Sequence, residues 1–333
     1  MERFNVIDLA KFLFAIVVIS IHAHPFQNYP MLNNAYGVFT RLAVPFFFVS
    51  SAFFLFRKYQ FGKGGYQFNK PFMLKFLKRT FVLYLVATIV YLFISPYPLT
   101  LDGLRRFSLD FTVRGVYSHL WFLPALMFSV FVMTVMLNYV SLRVVFAISA
   151  TFFAVGTLLC TYAHLFDGVP FIHQIIRLLN STIGFQNGLF YGLVFVALGA
   201  LLTQTSVIPL RRSLLLVVLF LGLLVVEGAV ATIAVKSDAR YLFFSLLPLS
   251  WALFSLLLQV KMRDRRIFGY LRKYSTNTYI FHYLFIVLIS RLLVIPKRGM
   301  VIFVLATLVS VLFAVAVGYL AEKRRLGFLK YLY

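Results

Sequence analysis

The chain has 333 residues, 62% of them hydrophobic and 12% charged, with a mean hydropathy of +0.92 and a formal net charge of +23. A soluble domain of this length needs a polar skin that so few charges cannot supply, which excludes a water-soluble globular fold. The 32 basic residues gather between apolar segments, a membrane-orienting pattern that excludes nucleic acid as a partner, and the single cysteine, Cys160, excludes an internal disulfide or a cysteine-only metal cluster.

The fold class expected is all-α: a polytopic membrane protein with about ten transmembrane helices, since a run of ~18 or more apolar residues matches the ~30 Å hydrocarbon layer. Runs bounded by charge, Pro or Gly set the spans at 6–26, 38–56, 76–95, 119–138, 142–163, 184–202, 213–235, 241–260, 274–295 and 300–321. The first carries Lys11 and no small-residue cleavage site follows it, so it reads as retained rather than as a removed leader. No repeat or heptad array stands out, and the polar stretches near 57–75 and 96–118 are loop-sized. One membrane domain is expected to fill 1–333.

In the first span Lys11 and His22 are separated by about three helical turns, ~16 Å along the axis, so both project from nearly one face. Asp8, three residues before Lys11, joins that face. One reading lets Lys11 reach the interface and leaves His22 an interfacial polar group; the other makes them functional, because ionisable groups inside a span are costly to bury. His24, followed by Pro25, reads as structural.

The second span, "RLAVPFFFVSSAFFLFRK", has Pro45 and the small run Ser50, Ser51, Ala52, which permit a kink and close helix approach. In "LKFLKRTFVLY", Lys75, Lys78 and Arg79 fall at i, i+3 and i+4, a cluster suited to phosphates or to holding orientation against lipid. The fourth span opens with "HLWFLPAL", where His119 and Trp121 fit an aromatic belt at a membrane boundary. Glu227, in "LLVVEGAV", is the carboxylate well inside an apolar segment, fit for a proton relay or for a substrate amine or hydroxyl. The ninth span holds "STNTYIFHYLF", with Tyr279 and His282 three residues apart.

Loop charge sets the expected orientation. With the N-terminus inside, the cytoplasmic side receives 22 of the 32 basic residues and the other side 10, which places both termini in the cytoplasm of a plasma-membrane protein. The tail "EKRRLGFLKYLY" mixes cations with Phe328, Leu329, Tyr331 and Tyr333, as a segment lying on anionic membrane lipid would. No zinc-ligand spacing, P-loop, dinucleotide fingerprint or nucleophile elbow is present.

In their order along the chain these motifs resemble the acyltransferase-3 family of integral membrane O-acyltransferases. Members of that family carry an acidic residue and an arginine before a histidine of the first span, and "IDLAKFLFAIVVISIH" matches with Asp8 and His22. The Phe-rich second span, "HLWFLPAL" and the late Tyr-x-x-His of "STNTYIFHYLF" also match. The chain departs in having Lys11 for the arginine, which keeps charge and loses the planar fork, Ser51-Ala52 for the family's Ser-Gly, and only Lys78-Arg79 of the second-loop basic motif. "RLAVPFFF", "FLKRTFVLYLVATIVYL", "HLWFLPAL" and "LLVVEGAV" are similar, more narrowly, to the membrane half of vancomycin-resistance serine racemases, a half associated with moving serine.

The resemblance implies transfer of an acyl group, expected to be acetyl, from cytoplasmic acyl-CoA to a hydroxyl of a cell-envelope glycan or lipid-linked sugar, with no metal. Lys75, Lys78 and Arg79 would lie near the donor phosphates. His22 would act as general base, and Lys11 with Asp8 would position the donor or stabilise developing charge. The alternative is a transporter-like protein for serine or another small polar solute. Glu227 and His22 would then line its path, and His119, Trp121, Tyr279 and His282 are the further candidates for a substrate path in either reading.

Overall fold

A computed structural model describes residues 4–62, 65–206, 208–235 and 242–322. Arg3, Lys63 and the basic tail beyond Glu322, used above to set orientation, lie outside the described residues. Thirteen α-helices occur among those described: α1 (Asn5–Ala23), α2 (Pro30–Thr40), α3 (Ala43–Phe56), α4 (Gly65–Leu92), α5 (Leu101–Leu109), α6 (Phe122–Met136), α7 (Leu142–Cys160), α8 (Pro170–Ser181), α9 (Leu193–Leu201), α10 (Leu210–Ile233), α11 (Leu246–Gln259), α12 (Arg266–Leu292) and α13 (Met300–Glu322). There is no strand among the described residues. Helix is the element that satisfies its own backbone polar groups inside a bilayer, and the composition demands a bilayer.

Every expected span holds a helix, but helix and membrane crossing are different properties. Among the described residues five segments are long and apolar enough to cross: Asn5–Ala23, Pro30–Phe56, Leu142–Cys160, Leu210–Ile233 and Met300–Glu322. Phe122–Met136, Gly188–Leu201 and Leu246–Gln259 are apolar but shorter. α4 and α12 run 28 and 27 residues, and each carries basic side chains through its first half. The structure is thus that of an all-α membrane protein, with five helical segments among the described residues long and apolar enough to cross a membrane. Only 17% of the apolar window of α10 is buried, as befits a helix that faces lipid with most of its surface.

The described residues group into two compact units, one taking the chain as far as Ala43 and again from Leu257, the other taking Val44–Leu256. In the first unit α1, α12 and α13 pack together around Ile19, Ala23, Ile286, Ile302 and Ala306. Phe281 and Phe285 meet the edge of Phe313 at 5.1 and 5.3 Å, sealing α12 to α13. α1 stops at Ala23 because His24 takes a left-handed conformation (φ 45°), its N–H donating to Ser20 O, and Pro25 cannot continue a helix. The Gly299 N–H then donates to Ala23 O at 2.6 Å, joining the end of α1 to the start of α13.

In the second unit α6, α7 and α9 pack closely with a π-helical turn at Gly188–Gly192. Gly199 has to be glycine, since a Cβ there would lie 2.5 Å from Val49 O and 2.7 Å from the Cβ of Ala52. Ala52, which replaces the family's glycine, is accommodated because the facing position on α9 has no side chain. Gly115 (φ +79°) turns the chain into the "HLWFLPAL" segment, and a Cβ there would sit 2.3 Å from Trp121 N.

Candidate functional site

The first unit brings Asp8, Lys11, His22, Tyr279 and His282 onto two packed helices, α1 and α12. α1 is continuous from Asn5 to Ala23, so eleven residues at 3.6 per turn leave Lys11 and His22 within roughly 20° of each other around the axis. Their stripe is the buried one: Asp8, Ala15, Val18 and Ile19 on it are all buried. Asp8 Oδ2 lies 3.6 Å from Arg272 Nη1 of α12. The charged neighbours acting on Lys11 are the same Asp8 and Arg272.

At the other end of the stripe His22 meets α12. Its ring is 5.2 Å from that of His282, tilted by 36°, and 5.2 Å from Tyr283 in an edge-on contact at 75°. His282 is fully buried, and its Nδ1 lies 2.6 Å from Tyr279 O. A carbonyl only accepts, so Nδ1 carries a proton and donates it to Tyr279 O. One turn of α12 thereby sets the orientation of the histidine beside His22. Ser20 Oγ is 2.6 Å from Val17 O and 2.7 Å from Tyr36 OH; with its own proton given to the carbonyl, it accepts from the tyrosine.

Beyond the end of α1, burial and the nearby Arg298 and Arg41 charges hold the His24 imidazole below its ordinary value. Arg41 is also among the charged neighbours of His22. Neither Arg41, Tyr36 nor Tyr283 was singled out from the sequence. Tyr283 follows His282 directly and was within reach of the motif; nothing in the spacing connects residue 41 to residue 22, which only the tertiary fold does.

The other candidates lie in the second unit. Lys75, Lys78 and Arg79 are exposed on one face of α4. His119 and Trp121 do not face outward as a belt would: they are 2% and 8% exposed. His119 sits edge-on to Tyr91 at 4.9 Å, and Trp121 packs edge-on to Tyr191 at 5.5 Å and against Phe48. The turn at Gly115 folds the start of this segment inward, which a belt reading based on sequence position cannot foresee.

Glu227 on α10 is engaged by four donors. The Phe244 N–H donates to Oε1 at 2.7 Å and Tyr162 OH at 3.0 Å, while the Ser245 N–H and Oγ donate to Oε2 at 2.8 and 2.5 Å. Four donors match the acceptor capacity of a carboxylate, and three of them belong to the residues just before α11. The carboxylate therefore caps the positive end of α11. Burial and the adjoining Glu227 charge push the Tyr162 phenol up. Among the described residues no three of His, Cys, Asp and Glu converge as a metal site would require.

The described residues thus form an all-helical membrane protein with a histidine pair, His22 and His282, on two packed helices and an acid–base stripe on α1 leading to it. The chain belongs to the acyltransferase-3 family, whose acyltransferase-domain model matches residues 4–320. Among curated proteins it is similar to an amino-acid racemase of Enterococcus faecalis, 27% identical over 279 residues, covering 79% of this chain and 37% of the relative. A serine/alanine racemase of Enterococcus gallinarum is 28% identical over 262 residues, covering 73% of this chain and 36% of the relative. A second amino-acid racemase of Enterococcus faecalis is 26% identical over 348 residues, 98% of this chain and 47% of the relative. The chain thus spans less than half the length of these relatives. No solved structure matches.

Proposed function

We propose that the protein is an integral membrane O-acyltransferase that moves an acyl group, acetyl in the simplest case, from acyl-CoA on the cytoplasmic side to a hydroxyl of a cell-envelope glycan or lipid-linked sugar. The observation that carries this reading is the His22–His282 pair at the end of the Asp8–Lys11 stripe. His22 takes the proton of the acceptor hydroxyl as its oxygen attacks the thioester carbonyl. The C–O bond forms, the C–S bond breaks, and the coenzyme A thiolate leaves with the proton that His22 returns. His282, held by the Tyr279 carbonyl, positions His22. Lys11, balanced by Asp8, lies ~16 Å from His22 along α1 and positions the donor.

The same reading includes ten spans, with residues 1–333 acting as one membrane domain in the plasma membrane. Both termini are cytoplasmic, on the strength of the 22-to-10 basic asymmetry. Purified protein in liposomes, given labelled acetyl-CoA and a membrane glycan fraction, should move label into the glycan.

A second reading is favoured by the relatives' names, since all three are racemases of amino acids and one of serine and alanine. In that reading the chain is a transporter-like protein for serine or another small polar solute. Uptake of labelled serine by the same liposomes, with no label leaving acetyl-CoA, would replace the first reading by the second.

A further inference from the structure

The end of the first unit opposite His22 holds a cleft of about 270 Å³ between the start of α1, the residues leading into α12 and the end of α13. Its floor is built from two buried polar side chains, Asn5 and Asp8, each 6% exposed. Asn5 Nδ2 reaches the carbonyls of Met262 and Arg263 at 3.4 Å and Asp264 Oδ1 at 3.5 Å, which fixes the strand of chain that carries Arg265 and Arg266 against α1.

The charges of this cleft are unevenly matched. Asp8 has Arg272 at 3.6 Å, Glu322 has Lys273 at 3.6 Å, and Asp264 has the Asn5 amide. Arg265 and Arg266 line the same cleft, and among the described residues neither makes an ion pair. Asp8 and Glu322 already face cations and Asp264 the Asn5 amide, whereas two exposed guanidinium forks suit a doubly charged oxyanion. Tyr270, stacked on Tyr274 at 6.0 Å with an interplanar angle of 20°, offers an aromatic wall, and Lys273 Nζ lies 5.7 Å from the centre of its ring.

The cleft floor also has a definite distance from the histidine pair. Asp8 and His22 lie on one continuous helix, so 14 residues at 1.5 Å each place them ~21 Å apart along α1. A ligand with phosphates at one end and a reactive carbonyl at the far end of a flexible arm fits this geometry.

We propose that this cleft is the phosphate and base anchor of the acyl donor: Arg265 and Arg266 hold the phosphates of coenzyme A and the adenine stacks on Tyr270. This rests on the acyltransferase reading for the identity of the ligand, and it moves the phosphate site from Lys75, Lys78 and Arg79 on α4 to the residues leading into α12.

The test is equilibrium binding of coenzyme A and of adenosine 3′,5′-bisphosphate to the full-length protein in nanodiscs, made either of phosphatidylcholine alone or with added phosphatidylglycerol. The variants are Arg265→Ala/Arg266→Ala, Gly269→Trp and Lys75→Ala/Lys78→Ala/Arg79→Ala. Gly269 lines the cleft with nothing within 4 Å of its would-be Cβ, so tryptophan there fills space without removing a charge or straining the helix.

The expected result in phosphatidylcholine is a dissociation constant raised roughly tenfold or more by the arginine pair and by Gly269→Trp, and changed less than about twofold by the α4 triple variant. The opposite pattern overturns the proposal, as does binding of phosphatidylglycerol at the arginine pair with no binding of either nucleotide, which would assign the cleft to lipid headgroups. Failure here with acetyl transfer intact leaves the acyltransferase reading standing. Nucleotide binding at the cleft with no transfer leaves the anchor standing and removes the reaction.

Discussion

Glu227→Gln separates a capping role from a substrate role. The substitution keeps shape and one carbonyl oxygen but replaces an accepting oxygen by an amide N–H₂ that faces donors already in place. Whichever way the amide turns, its NH₂ meets one backbone N–H, of Phe244 or of Ser245, donor against donor, while the hydroxyl beside it, of Tyr162 or Ser245, can turn to accept. One charge-assisted hydrogen bond is lost, at about 1.5–3 kcal/mol, and the favourable contact with the α11 dipole goes with it. A net destabilisation of about 1–3 kcal/mol is expected. The assay is thermal unfolding in a single detergent, monitored beside acetyl transfer at a temperature where both proteins are folded. A clearly lowered midpoint with transfer kinetics near those of the parent is the expected outcome. An unchanged midpoint with transfer or serine uptake abolished would refute the capping argument and return Glu227 to a substrate path.

Further outcomes follow from the same structure. Gly199→Val should lower thermal stability by about 1–3 kcal/mol or prevent folding, because the added carbons collide with Val49 O and Ala52, and Ala52→Gly in the same chain should recover part of the loss. His24 has a depressed value in the fold, so the unfolded chain binds more protons: stability should be full above about pH 6.5 and fall as pH drops below it, and His24→Asn, which tolerates the left-handed cap, should flatten that dependence in thermal melts. His282→Ala should reduce the turnover of acetyl transfer by roughly 10²-fold with little change in the acetyl-CoA KM, since it releases His22 without touching the donor phosphates. Lys11→Arg should preserve or raise the rate, because a planar fork improves contact with an oxyanion.

Much of the fold is legible in local sequence. Pro25 stops α1, and each of the ten runs found by hydropathy holds a helix. Hydropathy failed where it was asked for length: α6 and α11 are 15 and 14 residues long, and the runs drawn around them included the turns at either side. It also missed the first turns of α4 and α12, whose Lys and Arg side chains hide helical backbone, and the amphipathic α8, which has no long apolar run.

At the site, the stripe of Asp8, Lys11 and His22 was readable because helical period alone places those three. The pairing of His22 with His282, residues 260 positions apart, depends on how α1 packs on α12, and no periodicity reports it. Trp121 and His119 look like interfacial residues in one dimension, and only the glycine turn before them carries them inside.

The central claim is tested most directly by comparing the parent protein and His22→Ala in the same liposomes, supplied with labelled acetyl-CoA and a membrane glycan fraction, with folding of both checked by size-exclusion profile and thermal midpoint. General-base assistance contributes about 10²–10⁴-fold, so label should enter the glycan with the parent and fall by at least about 10²-fold with His22→Ala, while both proteins remain folded. Equal rates of transfer for the two proteins would contradict the account.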